Sequence, residues 1–129
     1  MLNENQVHEF KKILDRRYFE LCEEVRLELI STEDQYYIDL AGQVHDSGEA
    51  SVADLLVDLN LAEIDRHIRD IRAVEEALMR IKAGTYDICD DCKATISTER
   101  LQASPAATRC HRCQVNHEHT YAGDKRPSM

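Results

Sequence analysis

Cys89 and Cys92 form one C-x-x-C pair and Cys110 and Cys113 form a second, with 17 residues between the pairs. Two thiolates three residues apart grip one metal from a tight turn, and two such knuckles ~15–20 residues apart close a tetrahedral zinc site. So short a separation leaves room for a small ribbon and little else. The competing chemistry is a pair of disulfides or unmodified thiols. Disulfides belong to oxidising compartments, and nothing else points to one. Residues 1–20 carry charge throughout and lack the apolar segment of a secretory leader. Four thiolates with no water or carboxylate make a closed site, so one structural zinc is expected, holding the ribbon together in place of a core. Lys93, Arg109 and Arg112 lie close enough in sequence to offset the excess negative charge.

Other reactive side chains carry weaker signals. Cys22 stands alone near an apolar stripe and reads as a small buried residue. His111, His117 and His119 cluster in and after the second knuckle. A His-x-His pair can bind metal, but this one sits in a polar stretch. No glycine-rich phosphate loop, Ser-His-Asp set or activated carboxylate pair is visible. No catalytic or cofactor-binding residue follows, and an enzyme is not expected.

The elements that must position these residues show in the glycine and proline pattern. Residues 1–41 contain neither, Gly42 and Gly48 follow, residues 49–83 again contain neither, and Gly84 comes next. Two uninterrupted segments flanking a glycine-bearing turn predict an antiparallel helical hairpin. Val7, Phe10, Leu14, Tyr18, Leu21, Val25 and Leu29 recur at steps of three or four, and Thr32, Tyr36, Leu40 and Val44 extend that seam. Val57, Leu61, Ile64, Ile68, Ile71, Leu78 and Ile81 form its partner, with Glu75 breaking the register beside Val74. Such near-heptad seams suit a coiled coil. A helix over 49–83 would be ~50 Å long. Lys82-Ala83-Gly84 reads as a helix end, glycine supplying the left-handed turn.

The expected fold is therefore mainly α: a long antiparallel coiled-coil hairpin over residues 1–84, with an acidic tip near 42–51. A four-cysteine zinc module follows at 85–115, and 116–129 is expected to be a flexible tail. At the tip, Asp46 or Ser47 can cap the second helix and Glu49 suits its first turn. The alternative use of these acids is to present carboxylates at the end of an arm.

Charge supports that alternative. The 129 residues carry a net charge of -9, 43% hydrophobic residues, 5% aromatics and no Trp. All of the imbalance lies in residues 1–83, with 19 acids and 10 bases, while residues 84–129 hold six of each. Between Arg26 and Arg66 stand ten acids and no Lys or Arg. Such a surface repels nucleic acid and favours a positively charged protein surface or channel. No apolar run approaches the ~20 residues of a membrane span.

The run Ala77-Leu78-Met79-Arg80-Ile81-Lys82-Ala83-Gly84-Thr85-Tyr86, then Cys89 and Cys92, Arg100-Leu101, Ala103, Pro105 and Ala107, then Cys110 and Cys113, resembles the zinc-finger signature of the DksA/TraR family. The resemblance is specific over residues 77–114 and extends more weakly over the hairpin. It implies a cytoplasmic, monomeric bacterial regulator that binds RNA polymerase and not DNA. Such proteins insert the hairpin into the polymerase secondary channel and alter the stability of open promoter complexes. The family's tip motif, Asp-x-x-Asp-x-Ala, reads here Asp46, Glu49 and Ser51. Charge is kept, but Glu49 adds a methylene and Ser51 a hydroxyl. The first knuckle often ends in glycine in the family, and Lys93 stands there. If that turn needs a positive φ, the lysine carries strain of order 1 kcal/mol. Members that respond to ppGpp carry basic residues where this chain has Ala73, Ser104 and Gln114, so no response through that site is expected. Two other readings remain: a zinc-stapled coiled-coil adaptor whose seam pairs between chains, and a redox sensor that releases zinc on oxidation.

Overall fold

The structure is a computed structural model that describes residues 2–46, 51–59 and 62–124. Its regular elements are helices, with no strand among the described residues beyond a single Ile88–Thr95 bridge. The first helix, α1 (Glu4–Ser31), starts in a reciprocal cap: Asn3 accepts from the Gln6 amide while the Gln6 side chain accepts from the Asn3 amide. Its buried stripe is Phe10, Leu14, Leu21, Cys22, Val25 and Leu29. The long partner is α4 (Ala62–Ala83), which buries Ile64, Ile68, Ile71, Val74 and Ala77. The two run antiparallel, since Tyr18 meets Glu75 and His67 lies between Glu24 and Glu28. Among the described residues no helix is long and apolar enough to cross a membrane.

The distal half differs from two unbroken arms. The first segment stops at Ser31, reverses over Thr32 and Glu33, and resumes as α2 (Gln35–Val44). Neither glycine nor proline makes this break. The Thr32 hydroxyl donates to the Leu29 carbonyl at 2.7 Å, Asp34 caps α2 by accepting from the Tyr36 amide, and Glu33 adopts φ +60°. Hydroxyl and carboxylate side chains thus satisfy the backbone groups that a continuous helix would have paired. α2 then runs back along α1, which brings His45 onto Phe19 and Glu23. The second segment is also divided. A short α3 (Val52–Leu56), capped by Ser51, precedes α4, so the expected 35-residue helix is 22 residues, about 33 Å. Asp46 and Ser51 consequently lie beside the middle of the α1–α4 pair rather than beyond its end. Glu49 and Ser47 lie outside the described residues, as do Gly48 and Leu61 of the expected turn and seam.

At the other end, Gly84 takes φ +79° and turns the chain out of α4. The module beyond it holds α5 (Thr98–Ala103), capped by Ser97, and α6 (His111–Asp124). The expected flexible tail is therefore helical through Asp124, because helix starts within the second knuckle and no breaker interrupts it before Gly123; residues 125–129 lie outside the described residues. The module is fixed to the hairpin by packing and polar contacts together. Phe10 and Tyr86 rings pack at 5.6 Å, and the buried Tyr86 hydroxyl donates to the Pro105 carbonyl at 2.6 Å. Buried Asp87 accepts from the Leu2 amide at 3.1 Å, and Arg80 bonds both the Asp90 carboxylate and the Ile88 carbonyl.

Candidate metal centre and acidic segment

Each knuckle is a turn whose backbone amides are aimed inward. The Cys89 amide donates to Ala94 and the Lys93 amide back to Cys89, which closes the first turn and puts Lys93 at φ +64°. The Asp90 amide donates to Thr108 at 2.9 Å and ties the first knuckle to the second. The second knuckle runs into the start of α6, so Cys113 sits in a helical first turn. Arg109 holds Asp91 at 2.9 Å, and Arg100 donates to the Arg109 carbonyl at 2.7 Å.

These contacts bring the Cys89, Cys92, Cys110 and Cys113 ligand atoms within 4.8 Å of one another. The Cys92 and Cys110 sulfurs are 3.8 Å apart, which matches the edge of about 3.8 Å in a tetrahedron with zinc–sulfur bonds of about 2.3 Å. It is far longer than the ~2.05 Å of a disulfide. The sulfur chemistry fits a cation equally well. Burial opposes ionisation of Cys89, but the amides of Cys92, Cys110 and Asp91 outweigh it and bring the thiol down to about 6. Cys113 is pushed up to about 12, first by its hydrogen bond with Cys110 and then by burial. Four thiolates this close need a cation among them. With all four coordination positions filled by sulfur, none is left for a substrate.

The remaining candidates are placed differently. His111, His117 and His119 lie along α6, and among the described residues the four cysteines are the one cluster of metal-ligating type. Cys22 is buried in the α1–α4 seam, its thiol pushed up to about 11 by burial and then by the Glu75 charge. Asp46 is exposed beside the Glu23–His45 pair. Ser51 has two bonds: it accepts from the Asp54 amide as the α3 cap and donates to Glu75 at 2.7 Å. Glu75 is the residue that motif reading undervalued. Its carboxylate accepts from the Tyr18 hydroxyl at 2.7 Å, the Ser51 hydroxyl and the Val52 amide at 2.9 Å. The sequence signal for it was an acid breaking an apolar seam. Glu23, with Arg26 and His45 around it, had no such signal.

Residues 84–119 match the model of the prokaryotic dksA/traR C4-type zinc finger. An RNA polymerase-binding transcription factor DksA of Caulobacter vibrioides is 30% identical over 119 residues, covering 91% of this chain and 79% of the relative. This chain belongs to the DksA/TraR family. A DksA of Buchnera aphidicola is 29% identical over 114 residues, covering 88% of this chain and 72% of the relative. The solved structure of DksA2 from Pseudomonas aeruginosa superposes with a TM-score of 0.62 at 25% identity, covering 93% of this chain and 88% of that one. In this DksA/TraR member the four-cysteine cluster belongs to a structural zinc site.

Proposed function

We propose that this protein is a transcription regulator that binds RNA polymerase, as a cytoplasmic monomer and without contacting DNA directly. The observation that carries the reading is a relative, named as an RNA polymerase-binding transcription factor, that is similar over nearly the whole chain. The charge distribution supports it. A hairpin with ten carboxylates and no Lys or Arg between Arg26 and Arg66 suits a basic protein channel and not a phosphate backbone. In this reading the hairpin enters the polymerase secondary channel, and Asp46, Glu49 and Ser51 act near the active site to change the lifetime of open promoter complexes. Cys89, Cys92, Cys110 and Cys113 hold the zinc, which does no chemistry and keeps the base of the hairpin rigid.

The same reading excludes ppGpp from the usual family position. Ala73 and Ser104 line a groove of about 450 Å³ between α1, α4 and α5, together with Leu14, Val74 and Pro105. Its one cation, Arg17, is accompanied by Asp70. An anion with four or five phosphate charges needs several paired donors.

The test is co-migration with core polymerase, followed by open-complex lifetimes with wild type, Asp46→Ala and Glu49→Ala. Wild type is expected to shift the lifetime and both variants to lose the shift while still binding. Unchanged lifetimes with wild type would sink the reading. For ppGpp, calorimetric titration of the protein–polymerase complex is expected to show no site beyond those of polymerase alone.

A further inference from the structure

The two knuckles meet along three parallel rungs, each joining residues 18 apart in sequence. The Asp90 amide donates to the Thr108 carbonyl at 2.9 Å, the Arg109 Nε donates to the Asp91 carboxylate at 2.9 Å, and the Cys92 and Cys110 sulfurs stand 3.8 Å apart. The last rung carries two of the four ligands and is the open edge of the site. Cys92 is exposed and Cys110 half-buried, whereas Cys89 and Cys113 are buried. The middle rung is an ion pair, and Arg109 is held a second time, because the Arg100 Nε donates to its carbonyl at 2.7 Å.

The buried corners are anchored differently. Arg80 of α4 bonds the Ile88 carbonyl and the Asp90 carboxylate, the residues on either side of Cys89, and its side chain is only 11% exposed. Cys89 is thus tied to the hairpin from both flanks, and its amide is closed onto the Ala94 carbonyl at 2.8 Å. Cys113 is carried by α6. What borders Cys92 and Cys110 is the Asp91–Arg109 pair, each partner immediately preceding its cysteine in sequence.

We propose that the four-cysteine site opens at its Cys92–Cys110 edge, and that Asp91 and Arg109 are positioning residues that keep this edge closed. Neither is a ligand. Their bond fixes the spacing of the two knuckles one residue before the sulfurs, so a sulfur that lets go stays within reach of its place and returns. Without the bond the end of the first knuckle is free to hinge away about the Asp90–Thr108 rung. Groups that orient a ligand directly change metal affinity by about 10–100-fold. This pair acts through the backbone, with side chains 26% and 45% exposed, and exposed ion pairs are worth up to about five-fold. The inference concerns the zinc site alone and stands apart from the polymerase reading.

The experiment follows zinc transfer from the full chain to an excess of chromophoric chelator, with the cobalt-loaded form as the check on ligand geometry. Arg109→Gln and Asp91→Asn are expected to release zinc about three- to five-fold faster than wild type. Arg109→Lys, which keeps the charge, should stay nearer the wild-type rate. Raising salt from about 10 mM to about 300 mM should speed release from wild type towards that of Arg109→Gln, which has no pair left to screen. The cobalt absorption bands should be the same in all four proteins, since the four thiolates remain. Brief alkylation of the zinc-loaded wild type, located by mass spectrometry, should mark Cys92 and Cys110 before Cys89 and Cys113, and Arg109→Gln should speed only the first two. The proposal is overturned if Arg109→Gln and Asp91→Asn release zinc at the wild-type rate, or if their cobalt bands move. It also fails if Cys89 or Cys113 is alkylated first.

Discussion

Lys93 and Gly84 both occupy the left-handed region, at φ +64° and +79°, but only one of them is built for it. The lysine is strained because its Cβ crowds the following carbonyl, a cost of about 1 kcal/mol. Lys93→Gly is accordingly expected to stabilise the zinc-loaded protein by up to about 1 kcal/mol, less the entropy glycine adds to the unfolded chain. Gly84→Ala should destabilise it by a similar amount, although open space surrounds the Cβ position, because the cost is in the backbone. Denaturant titration at saturating zinc checks both. Cys22 gives a reactivity prediction on similarly local grounds. Burial and the neighbouring Glu75 charge push its thiol up to about 11, so little thiolate exists at pH 8. A thiol reagent added to the zinc-loaded protein should modify Cys22 slowly, with the rate rising many-fold in denaturant.

At the scale of elements, α2 packs on α1 through buried Leu40, Ala41 and Val44, and Glu23 adds a polar contact, holding Arg26 on its own helix and His45 at the end of α2. The hydrogen bond from Arg26, then that from His45, brings the Glu23 carboxyl down to about 2. A folded value below the unfolded ~4.3 means the contribution is complete above that unfolded value. It is lost as pH falls from about 4 to about 2. Thermal melts should therefore show wild type above Glu23→Gln at neutral pH, with the two converging near pH 2. A constant gap across that range would contradict the assignment. The module junction is equally specific: Tyr86→Phe leaves the Pro105 carbonyl without its donor and should cost about 1–2 kcal/mol. These elements also show what sequence could and could not reveal. The cysteine spacing and the apolar stripes of α1 and α4 were legible because each is a local periodic pattern. The Gly84 turn was legible for the same kind of reason. The break at Thr32–Asp34 was not, because attention to glycine and proline overlooks a stop made by a threonine hydroxyl and a restart made by an aspartate cap. Nor could spacing show that Glu75 would gather Tyr18, Ser51 and Val52, since those partners lie 57, 24 and 23 residues away.

For the whole molecule, electrostatics and compactness oppose each other. The ten acids between Glu28 and Asp65 meet no Lys or Arg within that stretch. Folding α2 and α3 back draws this charge against the α1–α4 pair, with Arg72 to Asp54 as partial relief. Repulsion between exposed charges reaches about 30 Å at 0.01 M salt and about 10 Å at 0.1 M. The folded-back half should therefore be weakest at low ionic strength, the reverse of a fold held by surface ion pairs. Raising salt from about 10 mM to about 300 mM is expected to raise Tm by a few degrees, equivalent to about 1 kcal/mol. Asp58→Asn, which removes one exposed charge from the crowded half, should flatten that slope. Melting curves followed by helical circular dichroism test both, and a Tm that falls with added salt would show that attraction dominates in the folded-back half.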